Sequence, residues 1–187
     1  MIDHVPTRWL TGRLLVASPA LLDPNFDRTV VLVLEHGEEG AVGVVLNRPS
    51  SVAAAAAGPA WAALAPHPQV VFVGGPVSAE RAVALAVAAD PPEEGWRSLF
   101  GDIGTVDLEV KPENFRPSCP VRVFAGYAGW GSGQLEAEVE AGGWIVADRV
   151  AGDVVSATPL DLWAGVLRRQ PPRLSILAGY PRQLRLN

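Results

Sequence analysis

The sequence is poor in the residues that usually announce chemistry: it has one cysteine, Cys119, three histidines, His4, His36 and His67, and one lysine, Lys111. A lone cysteine excludes an internal disulfide and a cysteine-based metal cluster, and it fits a reducing compartment. The histidines are far apart in the chain and no H-E-x-x-H pattern occurs, so neither a metal nor a cofactor is expected. Long apolar runs are also missing. Val30 to Leu34 and Ala82 to Ala89 fall far short of the roughly 20 residues that span a bilayer. Arg8, Thr11 and Arg13 interrupt the first segment, which does not read as a signal peptide. A cytoplasmic protein with no membrane partner is the expectation.

What is present is enough for a core. Apolar residues make up 49% of the 187 and charged residues 19%, a balance that excludes wholesale disorder and predicts a single domain over residues 1–187. The net charge is −5, and residues 168–187 hold Arg168, Arg169, Arg173, Arg182 and Arg185 without any acid, leaving −10 on the rest. Such a body repels polyanions. Direct nucleic-acid binding is therefore not expected, and the arginines of the tail are better spent on the acidic body itself.

The element pattern is α/β. Trp9 to Ala17 reads as a strand, followed by a turn around Pro24 and Asn25. Arg28 to His36 and Ala41 to Leu46 are β-branched runs, apolar on both faces, whose short link through Gly37 to Gly40 predicts an antiparallel hairpin. Ser50 or Ser51 would cap a short alanine-rich helix, with Ala60 to Ala65 forming another turn or two. Val70 to Val73 is a short strand. Residues 78–88 lack a decisive period and are read as strand, and 90–120 as a long excursion with a short strand near Gly104 to Val110. Val121 to Tyr127, a loop at Gly129 to Gly133, a helix over Gln134 to Ala141 and a strand over Gly143 to Asp148 make a β-α-β unit. Ser132 is its expected N-cap and Gly142 its C-terminal glycine. Thr158 and Pro159 open a last helix whose inward face is Leu162, Trp163, Val166 and Leu167.

The candidate motifs are few. The loop at 129–133 lies before a helix and could hold a phosphate on free N–H groups, with Asp148 where a dinucleotide site keeps a ribose-binding acid. Its spacing is not G-x-G-x-x-G, and Trp130 places bulk where a pyrophosphate needs close backbone, so a tight turn buried by Trp130 is the simpler reading. Glu35 and His36 are adjacent on a strand and point to opposite faces, which prevents joint acid-base work. Ser132 and Ser78 lack a G-x-S-x-G setting, and Cys119 lacks a helix start or close base to activate it. No catalytic residue is expected.

The segments LLVASPALLDPNFDRTVVLVLEHGEEGAVGVVLNRP (14–49), VFVGGPVSAER (71–81), FAGYAGWGSGQLEAEVEAGGWIVA (124–147) and TPLDLWAGVL (158–167) closely resemble the AlgH/YqgE family of bacterial proteins. The resemblance covers nearly the whole chain in order. It implies a mixed, largely antiparallel bifurcated sheet curled into a pseudo-barrel with helices packed outside. It also implies a role in transcriptional regulation, after a link to alginate synthesis, while carrying over no catalytic residues. The expectation is a non-enzymatic binding or regulatory protein, acting indirectly through a protein partner or small ligand at the loops that end its strands. The residues expected there are Asn47 and Arg48, Gly74, Gly75 and Pro76, and Tyr127, Gly129, Trp130, Gly131, Ser132 and Gln134. The alternative is an enzyme or sensor holding a phosphate or nucleotide on the Gly129 to Gly133 loop.

Overall fold

In the computed structural model, which describes residues 9–21 and 23–181, the two most apolar runs pair with one another. They are β2 (Val30–Gly37) and β3 (Gly40–Val45), antiparallel across a turn at Glu38 and Glu39. The register slips by one residue at Leu34, a β-bulge. Around this hairpin lie β1 (Leu14–Ala17), β4 (Pro49–Ala53), β5 (Val70–Val73), β6 (Val77–Val87), β7 (Trp96–Phe100), β8 (Ile103–Val106), β9 (Val121–Gly131) and β10 (Trp144–Ala147). The helices are α1 (Gln134–Glu140), α2 (Leu162–Arg168) and α3 (Pro172–Ser175), with short 3-10 turns between elements.

The strands run in the order β10-β1-β2-β3-β9-β6-β8-β7, antiparallel throughout, with β4 and β5 on a branch. The branch point is β9. Its residues 128–131 pair with β3, while Phe124 and Ala125 pair in parallel with β5, and β6 lies along the other edge. Between the two pairings Gly126 takes φ 72, a value glycine reaches freely, and the strand passes there from one partner to the other. The distant ends of the order are brought together by Arg149, which donates to Gly12 O at 2.9 Å and lies 4.5 Å over the Phe100 ring of β7. This is the bifurcated sheet curled into a pseudo-barrel that the sequence led us to expect.

Apolar residues on both faces of the central strands are explained by cover on both sides. Leu14, Val16, Leu32, Val44 and Leu46 pack with Leu162, Trp163, Val166 and Leu167 of α2. Leu15, Val31, Val33 and Val45 face the other way, against Trp130, Trp144 and Leu135 of α1. A third cluster gathers Trp61, Phe115, Cys119, Val121 and Val123 beneath the 90–120 excursion.

Several expectations are corrected. Residues 129–131 are not a loop but the end of β9, because Trp130 and Gly131 pair with Ala41 and Gly40. A Cβ on Gly40 would stand 2.1 Å from Trp130 O, so glycine here permits the close strand approach rather than breaking the strand. Ser132 does not cap α1; its hydroxyl donates to Glu38 O at 2.6 Å, and Gly133 occupies the N-cap at φ 72. Gly142 ends the helix as expected, its N–H reaching Val139 O at 3.0 Å. The strands β9 and β10 flank α1 and run parallel, but three strands separate them. The alanine-rich segment after Ser51 makes only a 3-10 turn, which no serine caps. Pro49–Ala53 is β4, with 3-10 turns at Ala54–Ala57 and Trp61–Leu64. The first strand is confined to Leu14–Ala17, and the excursion holds a hairpin of β7 and β8 rather than one strand to Val110. Thr158 makes no side-chain cap; Pro159–Asp161 is a 3-10 turn leading into α2.

Candidate ligand pocket at the strand ends

Beyond β3 the hairpin register carries Asn47 opposite the residues just before β2. Its buried side chain uses this position fully. The Oδ1 accepts the N–H of Val30 at 2.9 Å, and the Nδ2 donates to Arg28 O at 2.8 Å. Arg28 is thereby held at φ 52, the left-handed region, where an arginine costs about 1–3 kcal/mol. The turn before it is fixed by its own bonds, with Asp23 Oδ1 accepting from Asn25 N at 2.8 Å and Thr29 Oγ1 donating to Phe26 O at 2.9 Å.

This backbone aims the Arg28 guanidinium over the Trp163 ring, 4.4 Å from its centroid, and lets it donate to Tyr180 O. Trp163 in turn is anchored by its indole N–H to Ala17 O at 2.8 Å. Arg48 reaches into the same place, its Nη2 donating to Pro24 O at 3.2 Å and Asp27 O at 3.4 Å. The result is a pocket of about 670 Å³ between the end of β1, the 19–28 turn, the end of β3 and the start of α2. Burial pulls the Arg48 pKa below its ordinary value, and the Asp27 and Asp23 carboxylates pull the other way. Both arginines are half-buried, whereas Asp27 and Asp161 stand exposed at the rim. Among the described residues no carboxylate forms an ion pair with either guanidinium.

Of the residues singled out in the sequence, the pocket brings together Asn47 and Arg48 and leaves the others elsewhere. Gly74 and Gly75 lie against β9, where a Cβ would meet Gly126 O at 2.2 Å and Tyr127 C at 2.1 Å, and Pro76 follows them toward β6. Tyr127 packs on the main core. Gly129 and Gly131 are strand, and the Gly131 N–H is taken by Gln134 Oε1 at 3.0 Å. Trp130 is buried, 6.2 Å from the Phe26 ring and 5.9 Å from Trp144, so it closes a core away from this pocket.

The other candidates lie apart from this pocket. His36 Nδ1 accepts the Leu10 N–H at 3.0 Å, and its Nε2 lies 3.2 Å from Glu136 Oε1, an ion-pair distance without hydrogen-bond alignment. Glu35 is exposed on the opposite face. Burial pushes the Cys119 thiol up, away from the reactive thiolate. Asp148 is exposed and pairs with Arg13 at 3.3 Å. Arg169 makes a two-pronged contact to the buried Asp153 at 2.9 and 2.8 Å, while Arg182, Arg185 and His4 lie outside the described residues. Among the described residues no cluster of three His, Cys, Asp or Glu could hold a metal, and no helix is long and apolar enough to cross a membrane.

Sequence reasoning missed Arg28 and Trp163 as pocket residues. The available signal was the hairpin register, which places Asn47 beside Arg28 once β2 and β3 are aligned. It also missed Arg122, which is fully buried and, among the described residues, pairs with no carboxylate. Its Nη1 donates to Ser156 O at 2.9 Å and Val154 O at 3.4 Å, and its Nη2 to His67 O at 2.8 Å and Pro66 O at 3.5 Å. It lies 4.3 Å over the Phe72 ring, and burial brings its pKa down to about 10, so it remains a cation at neutral pH.

Residues 14–175 match the family model described as DUF179, AlgH-like. The chain belongs to the AlgH-like family. A UPF0301 protein of Streptomyces avermitilis is 53% identical over 184 residues, covering 95% of each chain. A UPF0301 protein of Mycobacterium tuberculosis is 45% identical, covering 99% of this chain and 96% of its own. A crystal structure from Corynebacterium diphtheriae superposes with TM-score 0.85 at 34% identity, over 91% of this chain and 92% of that one. The solution structure of AlgH from Pseudomonas aeruginosa gives TM-score 0.63 at 27% identity, over 97% and 99%. The AlgH-like match includes the turn at 23–28, Asn47, Arg48 and Trp163, while Tyr180 lies just beyond it.

Proposed function

We propose that the protein is a non-enzymatic, cytoplasmic binding protein that takes a small ligand in the pocket framed by Arg28, Asn47, Arg48 and Trp163 and acts in regulation through a protein partner. The observation that carries this reading is the left-handed Arg28, held there by two hydrogen bonds to a buried asparagine. Ordinary turn residues would reverse the chain without strain, and strain of this kind concentrates where a side chain must be aimed. The body's −10 outside residues 168–187 supports regulation without direct contact to nucleic acid.

The test is amide and indole mapping on the isotope-labelled full chain with a library of small polar fragments. Binding shifts centred on Ser18, Arg28, Asn47 and Trp163 are expected. Shifts centred on residues 129–134, or no binding at all, would overturn the reading.

A further inference from the structure

Resting on that reading, we infer that the pocket recognises an oxyanion, a carboxylate or phosphate, carried on a body with an apolar face. A guanidinium offers five N–H donors in a planar fork that matches such a group. Within the described residues, Arg28 spends donors only from Nη2, on Tyr180 O, and Arg48 only from Nη2, on two carbonyls. The Nε and Nη1 groups of both are left for a ligand.

The placement of charge agrees. Asp27 and Asp161 are exposed, where water screens them, while the guanidiniums are half-buried and unpaired. Burial opposes the charge on Arg48, so an incoming anion would recover what its partial removal from water costs. Arg28 is further fixed by the Trp163 face, which leaves less side-chain entropy to lose on binding. The apolar half of the ligand is assigned by Leu160, 67% exposed, and Tyr180, 44% exposed, both on the pocket wall. Large apolar side chains left in water beside a polar pocket are the surface a ligand body would cover.

The experiment titrates the full chain with phenyl phosphate, benzoate and the uncharged benzyl alcohol, reading pocket resonances and heat of binding. At least one anion should saturate the pocket, with benzyl alcohol about ten-fold weaker or worse, the size of a charge-assisted hydrogen bond. The tighter anion identifies the head group. Arg48→Gln and Arg28→Gln should each weaken anion binding by about ten-fold and leave the alcohol unchanged. Each variant loses a backbone contact, Arg28→Gln that to Tyr180 O and Arg48→Gln those to Pro24 O and Asp27 O, so both are checked for an unchanged unfolding midpoint and the variant that keeps it carries the test. Equal binding of alcohol and anion at the pocket would overturn the oxyanion inference while leaving the pocket reading intact. Absence of any pocket shift with all three probes would count against both.

Discussion

Trp130 and Trp144 donate their indole N–H groups to one and the same oxygen, Glu138 Oε2, at 3.0 and 2.8 Å. The other oxygen of that carboxylate accepts from Gln134 at 2.9 Å, so a single α1 side chain ties the end of β9 to the start of β10. The sequence GWGSGQLEAEVEAGGW therefore builds a clamp, with Gly133 and Gly142 taking the positive φ that turns the chain at either end of α1. Glu138→Ala would strand two buried donors, each worth about 1–3 kcal/mol, and should lower unfolding free energy by about 2–4 kcal/mol in urea. Glu138→Gln keeps an acceptor and should lose less.

Arg122 is predicted to be the larger single contribution. Four carbonyls of two different segments converge on it, so Arg122→Ala should cost about 3 kcal/mol or more in the same measurement. Arg122→Lys supplies charge but neither the planar fork nor the face stacked on Phe72, and should recover only part of that loss.

Cys119 is the one thiol, buried in the third apolar cluster with its pKa raised by that burial. At about pH 8.5, where an ordinary thiol is half ionised, it stays protonated and covered. A disulfide reagent should leave the native protein unmodified there and titrate one thiol per chain in denaturant. Rapid labelling of the native chain would contradict its placement.

Asn47→Ala removes the acceptor for Val30 N–H and the donor to Arg28 O together. A loss of about 2 kcal/mol is expected, with amide shifts spreading through residues 23–28 as Arg28 leaves its left-handed conformation. Asn47→Asp keeps the acceptor and should recover the Val30 bond alone.

How far the sequence foretold this follows from where the decisive forces act. The β2–β3 hairpin was legible because β-branched runs and a short link are local signals, and α2 because its apolar face and Pro159 are local too. The end of β9 was not, since glycines read as a break until β3 is known to lie against them. β4 carries serine and alanine with little strand preference and is held by pairing with β5. The pocket was half legible. Asn47 and Arg48 stood out at a strand end, but the turn of Arg28 and the arrival of Trp163 from 135 residues later in the chain are tertiary facts.

The most direct test of the pocket is the indole N–H resonance of Trp163 during an anion titration. The indoles of Trp61, Trp130 and Trp144, hydrogen-bonded at other places, serve as internal controls. Trp163 is expected to shift saturably with phenyl phosphate or benzoate while those three stay still. A still Trp163, or a response led by Trp130, would contradict it.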